Sequence, residues 1–280
     1  MRRGSVTKKT IYYVVSSIVA VILMFPFIYM FLRSFMTQDQ VMATPVEMFP
    51  RPIYFGAYVS IFDGGEYFLA LIETLKIVGF NCIAIPLSAT FVGYGFARMK
   101  FPGKDLVFSV MLGTMMIPGA VLQVPLYVMF TKFGWVDTFM PLTIPNLFGG
   151  GAVYIFLIRQ FMRGIPIEIE EAGKIDGANP YVRYFRLVLP LCWPVIIYVI
   201  VNIFNANWGD FYGPLIYMSG SERHTLAYAV FQDAMYAESA AAKENVRMAA
   251  GVFMSFFPVI LFIVFQKQLI EGVAVASLKG

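Results

Sequence analysis

Six uncharged apolar runs punctuate the chain, at residues 11–32, 77–97, 106–131, 138–158, 187–209 and 248–266. A helix of about 20 apolar residues crosses the ~30 Å hydrocarbon layer at ~1.5 Å per residue. The pattern therefore predicts an all-α membrane protein with six transmembrane helices. Two longer, partly polar stretches, 33–76 and 210–247, separate the first and last pairs of runs and are expected to hold short helices. The first run follows a basic tail (Arg2, Arg3, Lys8, Lys9) and carries Pro26 and large aromatics near its end. It outlasts the apolar core of about 7–15 residues in a cleavable signal, so it is read as an uncleaved span.

Prolines fall inside several runs: Pro26, Pro86, Pro118, Pro125, Pro141, Pro145, Pro194 and Pro258. Each removes a backbone hydrogen bond that lipid cannot replace. Such helices are expected to pack as a bundle in which neighbours or water take up the freed carbonyls. The kinks serve either packing or a translocation path.

Lys and Arg set the orientation. With the N-terminus inside, the inner segments hold Arg98, Lys100 and Lys104, then Arg159, Arg163, Lys174, Arg183 and Arg186, then Lys267 and Lys279, besides the four basic residues of the tail. The outer segments hold half as many. Both termini are thus expected in the cytoplasm. The predicted organisation is a cytoplasmic tail at 1–10, a six-span domain at 11–266 with an inner loop at 159–186, and a cytoplasmic tail at 267–280.

Composition sharpens this picture. The 280 residues are 59% hydrophobic with a mean hydropathy of +0.71, and only 14% are charged, against about 25% in soluble domains. Lipid is the natural solvent for such a chain. A net charge of +4 gives no reason to expect a nucleic-acid partner.

The chemistry is sparse. Cys82 and Cys192 lie in apolar runs and read as buried thiols, and His224 is the only histidine, so no metal-ligand spacing and no histidine-based triad exists. No G-x-x-x-x-G-K-[ST] phosphate loop occurs. The chain is expected to have no catalytic residues and to bind no cofactor. If ATP powers it, another chain binds the nucleotide. The span centres are almost free of ionisable groups, which argues against a proton-coupled carrier. An ion-coupled secondary transporter is the alternative, since neutral carbonyls can bind sodium, but it predicts an internal inverted repeat that is not evident. A membrane-embedded enzyme would need clustered polar groups at the interface.

The inner loop 159–186, RQFMRGIPIEIEEAGKIDGANPYVRYFR, is the most informative stretch. Pro166 suits a first helical position, and Glu168, Glu170 and Glu171 favour the positive helix N-terminus. Glu170 and Lys174 are spaced for an exposed i, i+4 pair of ~0.3 kcal/mol. Ile169, Ala172 and Ile175 share one face, and Gly177 and Pro180 end the helix. A second short helix is expected to follow, with Tyr181, Tyr184 and Phe185 toward the membrane and Arg183 and Arg186 toward headgroups. The first helix is either an interfacial cap on the bundle or a projecting docking element.

Glu171-Ala172-Gly173, then Gly177, then Leu187, Leu189 and Pro190 resemble the E-A-A…G…I-x-L-P loop of binding-protein-dependent ABC permeases. The longer string EEAGKIDGANPYVRYFRLVLPL is similar to the carbohydrate branch. Gly173 stands in for the second alanine and Leu187 for isoleucine. YGFARMKFPGKD (94–105), MMIPGAVLQVPLYVMFTKFGWVDT (115–138) and the tail QKQLIEGVAVASLKG (266–280) extend the resemblance, the tail toward the second permease of maltose-type systems.

The resemblance implies a type I ABC importer permease-like bundle in a bacterial or archaeal cytoplasmic membrane. It implies a second homologous permease, two ATPase subunits carrying ATP and Mg, and an extracytoplasmic solute-binding protein. Glu170, Glu171, Ala172, Gly173, Asp176 and Gly177 would form the coupling helix on the ATPase. Lys279 and Gly280 would reach between the ATPase subunits, or would be a frayed end. Trp208-Gly209-Asp210-Phe211 with Pro214-Leu215 resembles a W-N-D-F-x-x-P-L run, with Gly209 where asparagine is usual. Asn202, Asn205, Trp208 and Asp210 are the candidate pathway residues. Asn202, Asn205 and Asn207 serve either to line a path or to bond neighbouring helices.

Overall fold

The computed structural model describes residues 3–63, 65–236 and 244–277. Side chains are described from residue 8 to 235, apart from residue 64, and from 244 to 269. No strand occurs among the described residues. The chain divides into two compact units, Met1–Phe68 with Ala229–Phe257, and Leu69–Tyr228 with Pro258–Gly280.

In the first unit, α1 (Arg3–Arg33) carries the first apolar run. None of the most apolar part of α1 is buried within the chain. Thr37 and Gln40 form a reciprocal capping box on the turn Gln38–Val41, which satisfies two donors at its start. α2 (Gly56–Phe62) follows. Tyr58 shares a hydrogen bond of 2.7 Å with Ser34. Burial raises the Tyr58 phenol above its usual range, and the Ser34 bond opposes that rise.

The second unit is built on most of α3 (Glu66–Arg98), a helix that starts eleven residues before the uncharged run at position 77. α4 (Lys104–Gly113) and α5 (Gly119–Lys132) follow, then α6 (Ala152–Gly164), α7 (Glu168–Ile175) and α8 (Trp193–Trp208). Their core joins Ile85, Ala89 and Tyr94 of α3, Phe108 of α4, Ile158 and Met162 of α6, and Val195 and Val199 of α8. α9 (Tyr212–Tyr217), α10 (Leu226–Tyr236) and α11 (Glu244–Ser277) complete the order.

Four segments are long and apolar enough to span a membrane: Lys8–Arg33, Glu66–Arg98, Met140–Gly164 and Glu244–Leu269. Two more qualify only as bent pairs, Lys104–Met116 with Gly119–Lys132 at 99° and Pro180–Leu191 with Trp193–Trp208 at 74°. Where the third and fifth spans are expected, the helices are therefore sharply bent, as in a broken span or a re-entrant loop. The break in the third falls at Pro118, which has no N–H to offer and sits beside extended Ile117. The break in the fifth falls at Cys192, with Pro190 and Pro194 on either side.

The segment Met140–Gly164, at the fourth expected span, hides a further irregularity. Gly149, Gly150 and Gly151 all have positive φ. A Cβ on Gly150 would stand 2.4 Å from Ile85 Cγ2, so close approach to α3 requires a glycine there as well.

Candidate functional site

α7 is short and reverses the usual distribution of polarity. Its first turn carries Glu168, Glu170 and Glu171, which suits the positive end of a helix. The helix starts at Glu168, two residues beyond Pro166. Glu170 and Gly173 are buried, whereas Glu171, Ala172, Lys174 and Asp176 are exposed. Ile175 is 86% exposed. A charge points in and an aliphatic side chain points out.

The buried charge is paired. Glu170 Oε1 lies 2.8 Å from Arg98 Nε, with the two side chains 4% and 9% exposed. The approach is off the N–H axis, so it is an ion pair rather than an aligned hydrogen bond. Tyr94 donates its hydroxyl to Glu170 Oε2 at 2.8 Å. Arg98 Nη2 donates to the carbonyls of Met162 and Ile165 at 2.8 and 2.6 Å. The expected Glu170–Lys174 surface pair is thus replaced. The reason is that Glu170 faces α3, where a full charge and a phenol await it.

The end of α7 is a Schellman cap. The N–H of Ala178 donates to Gly173 and that of Gly177 to Lys174, at 2.9 and 3.1 Å. Gly177 has φ +81, a conformation that side-chain-bearing residues avoid. The two departures from the family string meet in space. A Cβ on Gly173 would stand 2.5 Å from Leu187 Cδ1, so the glycine makes room for the leucine.

The following segment differs from expectation at Tyr184. Tyr181 and Phe185 are exposed, but Tyr184 is buried and shares a 2.8 Å bond with Thr90 of α3. The π-helical turn Arg183–Val188 changes the face presented by each residue, which a 3.6-residue periodicity does not anticipate.

The four pathway candidates have different surroundings. Asn202 is half-buried and donates to the Tyr198 carbonyl at 2.9 Å, and Asn205 is exposed. Trp208 is buried and stacks on Phe204, with ring centres 5.3 Å apart. Asp210 Oδ1 accepts from the N–H groups of Tyr212 and Gly213, both at 3.0 Å, which caps the start of α9.

Asn207 joins a cluster that the sequence did not reveal. Asn81, fully buried, donates to Asn207 Oδ1 at 2.7 Å and to the Leu142 carbonyl at 3.0 Å, and accepts from Asn146 at 3.1 Å. The signal available was three amides in otherwise apolar runs. An apolar cavity of about 300 Å³ lies between α8 and α11, lined by Trp193, Ile197, Ile200, Val201, Phe204, Leu261 and Phe265. Its lining is almost wholly apolar, with the Trp193 indole N–H the one side-chain donor among these residues. Lys279 and Gly280 lie outside the described residues.

Comparison with known proteins places this geometry. The family described as "Binding-protein-dependent transport system inner membrane component" matches residues 89–275. A putative ABC transporter permease protein of Caldicellulosiruptor sp. (strain Rt8B.4) is 29% identical over 278 residues, covering 98% of each chain. A galactooligosaccharides transport system permease protein of Bacillus subtilis (strain 168) is 27% identical over 275 residues, covering 96% of this chain and 94% of the relative. Among solved structures, a chain of a bacterial ABC transporter involved in the import of the acidic polysaccharide alginate shares the fold, with a TM-score of 0.84 at 20% identity. The match covers 95% of this chain and 98% of that one.

Proposed function

The chain belongs to the family of binding-protein-dependent transport system inner membrane components and is an ABC importer permease; from that premise we propose that it carries a sugar or oligosaccharide and is driven through α7 by an ATPase on a separate chain. A galactooligosaccharide permease among its relatives supports the cargo, as do the amides Asn202 and Asn205 on α8, which suit hydroxyl groups.

The assembly in this reading contains a second homologous permease, two ATPase subunits that hold ATP and Mg, and an extracytoplasmic solute-binding protein. It sits in a bacterial or archaeal cytoplasmic membrane. Both chain termini and α7 face the cytoplasm, following the excess of Lys and Arg on that side. Glu171, Ala172, Lys174 and Ile175 meet the ATPase, and closure of the ATPase pair moves α7 as a rigid lever. Solute then enters from the binding protein and leaves on the inner side as the spans alternate between two arrangements. Asp176 and Gly177 hold the tip in shape, and the tail at Lys279 and Gly280 adds a second contact.

One observation carries the proposal: Ile175 stands almost fully exposed on a helix whose buried face is charged. In the proposed assembly the ATPase covers this aliphatic tip together with the exposed Glu171, Ala172 and Lys174. Cysteine placed at Glu171 and treated with an impermeant thiol reagent tests the topology. Reaction from the cytoplasmic side of inverted vesicles is expected, and reaction only from the exterior of intact cells would sink the reading. Uptake that follows an ion gradient but not ATP would equally defeat it.

A further inference from the structure

Arg98 ends α3 and reaches two other segments. Its Nη2 donates to the carbonyl of Met162, which also receives the Ile165 N–H at 3.1 Å, and to the carbonyl of Ile165 just past the point where α6 stops. Its Nε faces Glu170 of α7 at 2.8 Å. Tyr94, one turn earlier on α3, takes the other Glu170 oxygen at 2.8 Å. Both carboxylate oxygens of Glu170 are therefore engaged by α3, a helix far from α7 in the sequence. Connectivity alone ties α7 to α6 on one side and, through Gly177, to the segment after Pro180 on the other. Tyr184 and Thr90 add a further tie between that later segment and α3.

A buried ion pair is hard to open from one side, because the charge left behind has no water to turn to. Packed elements joined in this way exchange between discrete arrangements rather than stretch. We propose that Arg98 and Tyr94 are positioning residues that lock α7 to the end of α3, so that a displacement of α7 reaches the second span directly and not only through its covalent neighbours. The transmission rests on α7 being docked on an ATPase. The lock itself concerns only this chain.

The test uses the assembled transporter in nanodiscs, with Cys82 and Cys192 replaced by alanine. Spin labels on Glu168→Cys and Met99→Cys report the distance from α7 to the end of α3. Labels on Met99→Cys and Val153→Cys report α3 against α6 as a reference. The expected result is one narrow α7–α3 distance, the same without nucleotide and with ATP trapped by vanadate. Arg98→Gln, and the milder Tyr94→Phe, are each expected to split that distribution while leaving the reference pair narrow. Arg98→Gln combined with Glu170→Gln is expected to be no broader than Arg98→Gln alone, as for residues that act as one unit.

An α7–α3 distance that shifts between nucleotide states in the parent protein would overturn the lock. So would an unaltered distribution in both single variants. Docking is read separately, from disulfide cross-linking of Ile175→Cys to the ATPase subunit. Its absence in the parent would overturn the docking and the transmission with it, while the distances would still report on the lock.

Discussion

The two polar groupings on α3 answer the same problem with opposite chemistry. Around Asn81, neutral amides from three segments share hydrogen bonds. At the Arg98 end, a full charge is matched by another and by a phenol. Amides inside a membrane protein exchange partners cheaply, and their bonds are worth about 1 kcal/mol or less each. A buried ion pair has no cheap alternative state. The first grouping joins helices while tolerating small slides between them. The second holds all of its geometry or none, which suits a short helix that, in the proposed assembly, transmits motion.

The sharpest way to break the contrast is to remove one charge. Arg98→Ala should cost about 3–5 kcal/mol, the range for stranding one member of a buried pair, read as unfolding free energy in detergent micelles. Asn81→Ala should cost about 1–2 kcal/mol by the same measurement, because the remaining amides find other partners. Equal losses at the two sites would erase the distinction.

Two smaller effects sharpen it. Gly173→Ala puts a methyl against Leu187 Cδ1. Overpacking of ~1–3 kcal/mol is then offset by ~1 kcal/mol of better helix propensity. The net loss should be about 1 kcal/mol, and Leu187→Val should recover most of it. Ile175→Asp should change unfolding free energy by less than about 0.5 kcal/mol, as at other exposed positions, yet lower the yield of co-purified ATPase subunit. A large stability loss there would mean that Ile175 supports the fold rather than a partner.

Much of this was legible along the chain. The spans were visible because uncharged apolar runs of sufficient length have few other uses in a protein. α7 was visible because its acidic first turn, its terminal glycine and its string of family residues coincide. The burial of Glu170 was not, since the residues that draw it inward, Tyr94 and Arg98, belong to a different span. Periodicity also misjudged Tyr184, because a π-helical turn rotates the faces that follow it. The prolines announced irregular helices but not that two helix pairs bend by 99° and 74°. The run Gly149–Gly151 was overlooked because no substituent marks a glycine's backbone requirement.

The angle at Pro118 carries one more consequence. Short-range bonds from Ile117 to Thr114 and from Val121 to Pro118 replace part of the helical ladder at the break. Other carbonyls before it and N–H groups after it lose their helical partners, and Met116 beside them is 85% exposed. Hydrocarbon cannot receive such groups. A copy of this chain synthesised without the neighbour or the water-filled space that satisfies them would be an unfinished solute in its own bilayer. In the proposed assembly, quality control should recognise it as an orphan, so its lifetime in the cell should follow the supply of the other subunits.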